Sequence, residues 1–247
     1  MTILDHAPFL LPDWPAPASI RAYTTTRCGG DSVLPWDGFN LADYVGDDPD
    51  HVAANRQALT DLIGLPSEPY WLDQTHGTAV SRLDTRAADA AYTAHPGKVC
   101  VVLSADCLPV LLTNQAGDQV AAVHAGWRGL AAGILEASVA AFHPTDGAGE
   151  LMAWLGPAIS QQAFIVGDQV REAFVQHQSQ AAQAFIADQP GTWRADLYQL
   201  ARQRLQAVGV NNISGGDYCT YTDTARFYSY RRASQTGRMA TLIWIAS

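Results

Sequence analysis

The stretch Gln119-Val120-Ala121-Ala122-Val123-His124-Ala125-Gly126-Trp127-Arg128-Gly129 decides how the rest of the chain is read. Its opening predicts a short apolar strand over Gln119–Val123, the glycines at 126 and 129 mark a turn, and Leu130–Phe142 has the length and composition of a helix. His124 then stands at the turn of a strand–turn–helix unit. A second unit follows, with a strand at Leu151–Leu155, a turn at Gly156-Pro157 and a helix around Asp168–His177. Another helix, about Arg194–Val208, carries Leu197, Leu200, Ala201, Leu205 and Val208 on one face and ends at Gly209.

Working toward the N-terminus, Ile20–Thr25 reads as a strand, followed by the glycine-rich turn Cys28-Gly29-Gly30-Asp31-Ser32. A helix is expected near Asp50–Ile63, opened by Asp47-Asp48-Pro49 and closed by Gly64. Tyr70–Leu72 is expected as a strand running into Asp73-Gln74-Thr75-His76-Gly77, with Ala79–Leu83 extended again, which puts His76 at a bend. Val99–Leu103 is a continuous apolar run typical of a strand buried on both faces. It stops at Ser104-Ala105-Asp106-Cys107-Leu108-Pro109, so Cys107 falls at a strand end or break. Near the C-terminus, Phe227–Tyr230 and Thr241–Ile245 are the best strands. Strands alternating with helices, together with hairpin-like pairs, predict an α/β (α+β) fold with mixed sheets flanked by helices. No linker, repeat or low-complexity tract interrupts the chain, and a single domain over residues 1–247 is expected.

Composition narrows the function. Of 247 residues, 48% are hydrophobic and 16% charged, which excludes disorder as the main state. Fifteen basic residues against 24 acidic ones leave a net charge of −9 with no basic run, an unfavourable balance for nucleic acid or an anionic membrane. No apolar run approaches a spanning length, and Met1–Pro8 lacks the basic and apolar parts of a secretory signal, so a cytoplasmic location is expected. The four cysteines, Cys28, Cys100, Cys107 and Cys219, are dispersed with no CxxC pair, which argues against a disulfide framework and a zinc ribbon.

Three residues able to bind a metal follow apolar strands: His76, Cys107 and His124, separated by 31 and 17 positions. Zinc accepts such a mixed set, and three protein ligands with one open position is the catalytic arrangement. The same triple permits a thiolate nucleophile, with His124 as base and Asp106 or a backbone carbonyl orienting the imidazole. Around it, Arg27 precedes Gly29-Gly30, whose amides could form an anion-binding nest, and Arg128 follows Gly126 at a helix start. Arg231-Arg232 follow an aromatic run and read first as the charged guard of an edge strand, second as an anion clamp. There is neither a GxxxxGK[ST] nor a GxGxxG after a strand.

Several segments, in order, carry a family resemblance: Thr25-Thr26-Arg27 with Gly29-Gly30, Phe39-Asn40-Leu41 with Val45-Gly46-Asp47-Asp48, and Gln74-Thr75-His76-Gly77. Ala105-Asp106-Cys107-Leu108-Pro109, His124-Ala125-Gly126-Trp127-Arg128-Gly129, Gly156-Pro157-Ala158-Ile159, Cys219-Thr220 and Phe227-Tyr228-Ser229-Tyr230-Arg231-Arg232 with Thr236-Gly237-Arg238 complete the set. On these the chain resembles the YfiH family, long labelled multicopper polyphenol oxidases or laccase-domain proteins. The resemblance implies one zinc or copper ion at His76, Cys107 and His124, purine nucleoside phosphorylase activity on adenosine, inosine, guanosine and methylthioadenosine, and adenosine deamination. It implies purine nucleoside and phosphate as ligands, with no protein partner. Arg27, Asn40, Asp106 and Arg231 are the positions expected to face substrate, Arg27 being the first choice for phosphate and Arg231 the second. Thr75, Cys28 and Asp31 depart from the family pattern and leave nucleoside preference open.

Three rivals stand beside this expectation. A true multicopper oxidase needs a trinuclear cluster and a mononuclear site, about ten histidines, whereas this chain has seven and no His-x-His pair. A hydrolase that edits a muropeptide precursor would use the same ion or Cys107. A structural metal site would need a fourth ligand, for which Cys219 is available.

Overall fold

The structure is a computed structural model that describes residues 8–143 and 151–246; residues 1–7, on which the reading of the N-terminus rests, lie outside them. In chain order the strands are β1 (Phe9–Leu10), β2 (Ile20–Thr25), β3 (Val80–Ser81), β4 (Ala90–Thr93), β5 (Cys100–Ser104), β6 (Leu108–Thr113), β7 (Val120–Ala125), β8 (Met152–Leu155), β9 (Ile165–Gly167), β10 (Phe185–Ala187), β11 (Thr192–Ala195), β12 (Asn212–Gly215) and β13 (Met239–Ile245). The helices are α1 (Pro49–Ile63), α2 (Trp127–Ala132), α3 (Ile134–Ala140), α4 (Asp168–Val175) and α5 (Leu197–Ala207).

Three sheets result: an antiparallel β1-β2-β13-β5, a mixed β12-β8-β6-β7-β4-β3, and a small antiparallel β10-β11-β9. The expected mixed α/β architecture is borne out. Side-chain alternation along the strands shows how the layers stack, because successive residues point to opposite faces. On β5, Val101 and Leu103 pack with Leu59 of α1, while Cys100 and Val102 pack with Leu111 of β6 and Ala122 of β7. On β6, Val110 and Leu112 instead meet Leu130, Ile134 and Leu197 of the helices on the far side. The order is therefore α1, four-stranded sheet, six-stranded sheet, then α2 to α5. The two inner sheets cover one another, so their central strands are apolar on both faces although their pairing is antiparallel.

Three sequence expectations are corrected. The run Leu130–Phe142 is two helices, because Gly133 takes a left-handed conformation (φ 103°) between α2 and α3. Tyr70 makes only an isolated bridge to Cys100, so Tyr70–Leu72 is not a strand. Phe227–Tyr230 is not a strand either: Phe227 and Tyr228 are wholly buried against Ala105 and Met239, and side chains rather than a neighbouring strand hold the segment.

Candidate metal centre

Two of the three candidate ligands are placed by breaks in regular structure and the third by a strand. Cys107 lies on the crossing from β5 in one sheet to β6 in the other, directly after Asp106, whose φ of 95° turns the chain. His124 is not in the turn, as the sequence suggested, but inside β7, opposite Pro109 of β6. His76 projects from the loop before β3 with a left-handed φ of 62°. The structure brings the three together, with their ligating atoms all within 4.8 Å of one another. His76 Nε2 lies 3.8 Å from Cys107 Sγ. A tetrahedral zinc with the usual N and S bond lengths separates those atoms by about 3.6 Å, so two imidazoles and one thiolate fit such an ion.

Asp89, a wholly buried residue just before β4, organises the set. Its Oδ1 accepts from His124 Nδ1 and from the His76 amide, both at 2.9 Å. Its Oδ2 accepts from the amides of Thr75 (3.1 Å) and Gly77 (2.7 Å) and from Thr75 Oγ1 (3.1 Å). The proton on Nδ1 leaves Nε2 of His124 as the nitrogen that faces the cluster, the usual carboxylate–histidine–metal arrangement. Asp89 thus takes the orienting role expected of Asp106. Gln74 secures the same loop, donating Nε2 to Leu103 O (2.8 Å) and accepting from Leu103 N (2.7 Å).

Electrostatics agree with the geometry. Burial pushes the Asp89 carboxyl up, but the hydrogen bonds from His124 and from the Gly77 and His76 amides outweigh it and hold it down at about 2. Burial likewise raises the Cys107 thiol and lowers the His124 imidazole. Their mutual attraction, with Asp89 behind His124 and His76 beside the sulfur, reverses both shifts: the thiol falls below its ordinary range and the imidazole rises above.

Gly126 leaves the room in which the ligands meet. Its φ of −61° suits any residue, yet a Cβ placed there would lie 2.9 Å from His76 Cδ2 and 3.1 Å from Cys107 Sγ. Gly129 serves the loop in the same way, since its Cβ would lie 2.8 Å from Gly77 O.

The cluster opens on a cleft of about 420 Å³, lined also by Trp127, Arg128, Phe164, Tyr230, Arg231 and Arg238. Each of these arginines sits over an aromatic ring of the cleft: Arg128 over Trp127 (4.4 Å), Arg231 over Phe164 (5.4 Å) and Arg238 over Tyr230 (5.8 Å). Among the described residues none of the three pairs with a carboxylate. In a chain of net charge −9, the cleft is locally cationic.

Of the positions expected to face substrate, Arg231 and Asp106 line the cleft and Arg27 and Asn40 do not. The Asp106 carboxylate is taken up within the protein, by Thr220 Oγ1 (2.6 Å), Ser229 Oγ (3.0 Å) and the Arg231 amide (2.7 Å). Arg27 is engaged by Asp37 (2.7 Å) and lies over the Tyr228 ring. In the adjoining turn the Asp31 amide, next after Gly30, donates to Asn55 Oδ1 (2.8 Å). Asn40 is wholly buried, donating to Asp47 (2.8 Å) and accepting from the Arg238 amide (3.0 Å). Cys219 stays apart from the cluster, its sulfur accepting from Ser160 Oγ at 3.0 Å. Asp89 was missed in the sequence. The available signal was a lone acid within Ala87-Ala88-Asp89-Ala90-Ala91-Tyr92, where a charge is out of place unless it is paired.

The sequence model of the family described as multi-copper polyphenol oxidoreductase laccase matches residues 21–246. The purine nucleoside phosphorylase YfiH of Escherichia coli is 51% identical over 241 residues, covering 96% of this chain and 98% of that one. A Pseudomonas aeruginosa protein also named purine nucleoside phosphorylase is 52% identical over 242 residues, with the same coverage. Among solved structures, Neisseria meningitidis protein NMB0706 superposes with a TM-score of 0.93 at 44% identity, over 98% of this chain and 100% of that one. YlmD from Geobacillus stearothermophilus follows the same fold with a TM-score of 0.85 at 27% identity, over 98% and 97% of the two chains.

Proposed function

The chain belongs to the multi-copper polyphenol oxidoreductase laccase family, and on that premise we propose that it is a metal-dependent purine nucleoside phosphorylase that also deaminates adenosine. Its substrates on this reading are adenosine, inosine, guanosine and methylthioadenosine. The observation that carries it is the meeting of three potential metal-binding side chains on a cleft whose arginines pair with no carboxylate among the described residues. Both relatives cited above are named for the phosphorylase activity.

His76, Cys107 and His124 would hold one zinc or copper ion. When bound, the ion supplies Lewis-acid polarisation of a substrate atom and activation of water. The protein supplies the rest. Arg128, whose guanidinium lies over the Trp127 ring and is in no ion pair among the described residues, and Arg231 hold phosphate by charge-assisted hydrogen bonds. They thereby take over the role expected of Arg27. In phosphorolysis a phosphate oxygen bonds to ribose C1′ as the glycosidic C–N bond breaks, and the electron pair leaves with the purine, which takes up a proton. Holding phosphate and nucleoside in one orientation removes much of the entropic barrier to this step. Deamination is a separate step at the base: a water oxygen bonds to purine C6 and the exocyclic amine, taking up a proton, leaves as ammonia while the glycosidic bond stays intact.

One feature favours the metal over a thiolate nucleophile. Asp89, His124 and Cys107 alone would make an orienter, base and nucleophile, but a second imidazole, His76, also faces the sulfur, which a nucleophile does not require. A multicopper oxidase is disfavoured because the described residues contain one three-ligand group, room for a single ion.

The test is a product assay on metal-quantified protein given adenosine with and without phosphate, beside Cys107→Ala. Phosphate-dependent adenine and ribose 1-phosphate support phosphorolysis, and phosphate-independent inosine supports deamination. Neither product from protein holding one equivalent of metal refutes both activities and moves the weight to the muropeptide hydrolase. Full turnover by a metal-free Cys107→Ala variant would refute the metal centre.

A further inference from the structure

Tyr230 has an unusual setting for an aromatic residue. It is 56% exposed and lines the cleft, so its ring is held against water without contributing to the core. Its backbone is nevertheless fixed on both sides by one carboxylate: Ser229 Oγ and the Arg231 amide both donate to Asp106 Oδ2, at 3.0 and 2.7 Å. Asp106 immediately precedes Cys107, and its other oxygen is held by Thr220 Oγ1 at 2.6 Å. The ring is therefore registered to the metal ligands through a single buried side chain. Arg238, itself anchored through its amide to Asn40, places its guanidinium 5.8 Å from the ring centroid.

We infer that Tyr230 is the stacking platform for the heteroaromatic base of the substrate, with Asp106 as the positioning residue that sets its distance from the metal ligands. Stacking suits such a place because every base has a π-face, and a tyrosine whose neighbours on both sides are anchored has only its two side-chain torsions to order on binding. Tyr44, the other cleft-lining aromatic that is more than half exposed (58%), is not tied to Asp106. The inference rests on reading the cleft as a purine nucleoside site, and its test separates the two.

Metal-loaded wild-type, Tyr230→Leu, Tyr230→Phe and Tyr44→Leu proteins are compared by calorimetric titration with adenosine and with ribose, and by steady-state KM for adenosine and for phosphate. Tyr230→Leu is expected to weaken adenosine binding ~10-fold or more, the lower part of the range for losing one base–aromatic stack. KM for phosphate and metal content should stay unchanged, and Tyr230→Phe should restore adenosine affinity to within about two-fold, since the ring rather than the hydroxyl is used. Unaltered adenosine affinity in Tyr230→Leu overturns the inference, as does an equal loss in Tyr230→Phe or a loss found in Tyr44→Leu alone. Adenosine binding that depends on Tyr230 without any turnover would refute the proposed activity and leave the platform standing. Turnover indifferent to Tyr230 would do the reverse. Wild-type protein that does not bind adenosine overturns both.

Discussion

Replacing Gly126 by Ala inserts one methyl group into the space where His76, Cys107 and His124 meet, the three proposed metal ligands. The backbone there has φ −61° and ψ 155°, which alanine adopts without strain. Any effect must come from contact. The new Cβ would stand 2.9 Å from His76 Cδ2 and 3.1 Å from Cys107 Sγ, so both side chains must retreat by about 0.5 Å to restore ordinary packing. Metal sites tolerate about 0.2 Å in ligand distance. The expected loss in metal affinity is therefore at least that of disturbing a supporting residue, about 10- to 100-fold. The fold should be nearly indifferent: Gly→Ala stiffens the unfolded chain by about 0.4–1 kcal/mol, which offsets part of the crowding. Competition with a chromophoric chelator measures the affinity, and thermal unfolding of the metal-stripped proteins measures the fold. A change of about 1 kcal/mol corresponds to some 2–4 °C in a domain of this size. Affinity within two-fold of wild type would refute the packing argument. A collapse of the stripped protein would show that Gly126 acts through the fold instead.

Asp89→Asn keeps the shape but cannot accept from all five donors that the carboxylate serves; metal affinity should fall about 10- to 100-fold and stability by about 3 kcal/mol, read by the same two measurements. Arg128→Ala should lower phosphate-dependent kcat/KM by about 10- to 100-fold and leave inosine formation from adenosine unchanged, because the residue is exposed and its guanidinium lies over the Trp127 ring. Equal losses in both reactions would mean that Arg128 holds the nucleoside. Arg27→Ala should leave KM for phosphate unaltered and cost about 1 kcal/mol of stability, since it removes a partly exposed ion pair and a stacked cation. A rise in KM for phosphate would return the anion site to the Gly29-Gly30 turn.

Local signals in the sequence located most elements. Ile20–Thr25 is a strand with the bounds expected, and α1 starts one residue before its predicted onset because Asp48 caps it and Pro49 occupies its first turn. The apolar run at Val99–Leu103 is buried on both faces as expected, with α1 over one face and the second sheet over the other. Periodicity does not register a left-handed glycine, so the break at Gly133 passed unseen. Nor does it show when aromatic residues are buried by loop packing, as in Phe227 and Tyr228. At the site, the three ligands stood out as metal-binding residues at strand breaks. The groups that arrange them did not, because Asp89 is distant in sequence from His124 and Gly126 acts by what it omits. Arg27 sits in a conspicuous motif, yet its charge is spent on Asp37, a pairing that only the fold reveals.

β13 lies between β2 and β5 in the four-stranded sheet, and Thr24 of β2 meets Thr241 of β13 across 217 residues of chain. During synthesis β2 and β5 emerge early and wait without the strand that joins them. The crossing that carries Cys107 leaves from β5, and the carboxylate beside it accepts from Thr220, Ser229 and Arg231. A nascent chain that stops short of these residues therefore exposes the thiol without fixing its position. The geometry in which His76, Cys107 and His124 would hold a metal thus depends on residues near the C-terminus that are distant in sequence from all three.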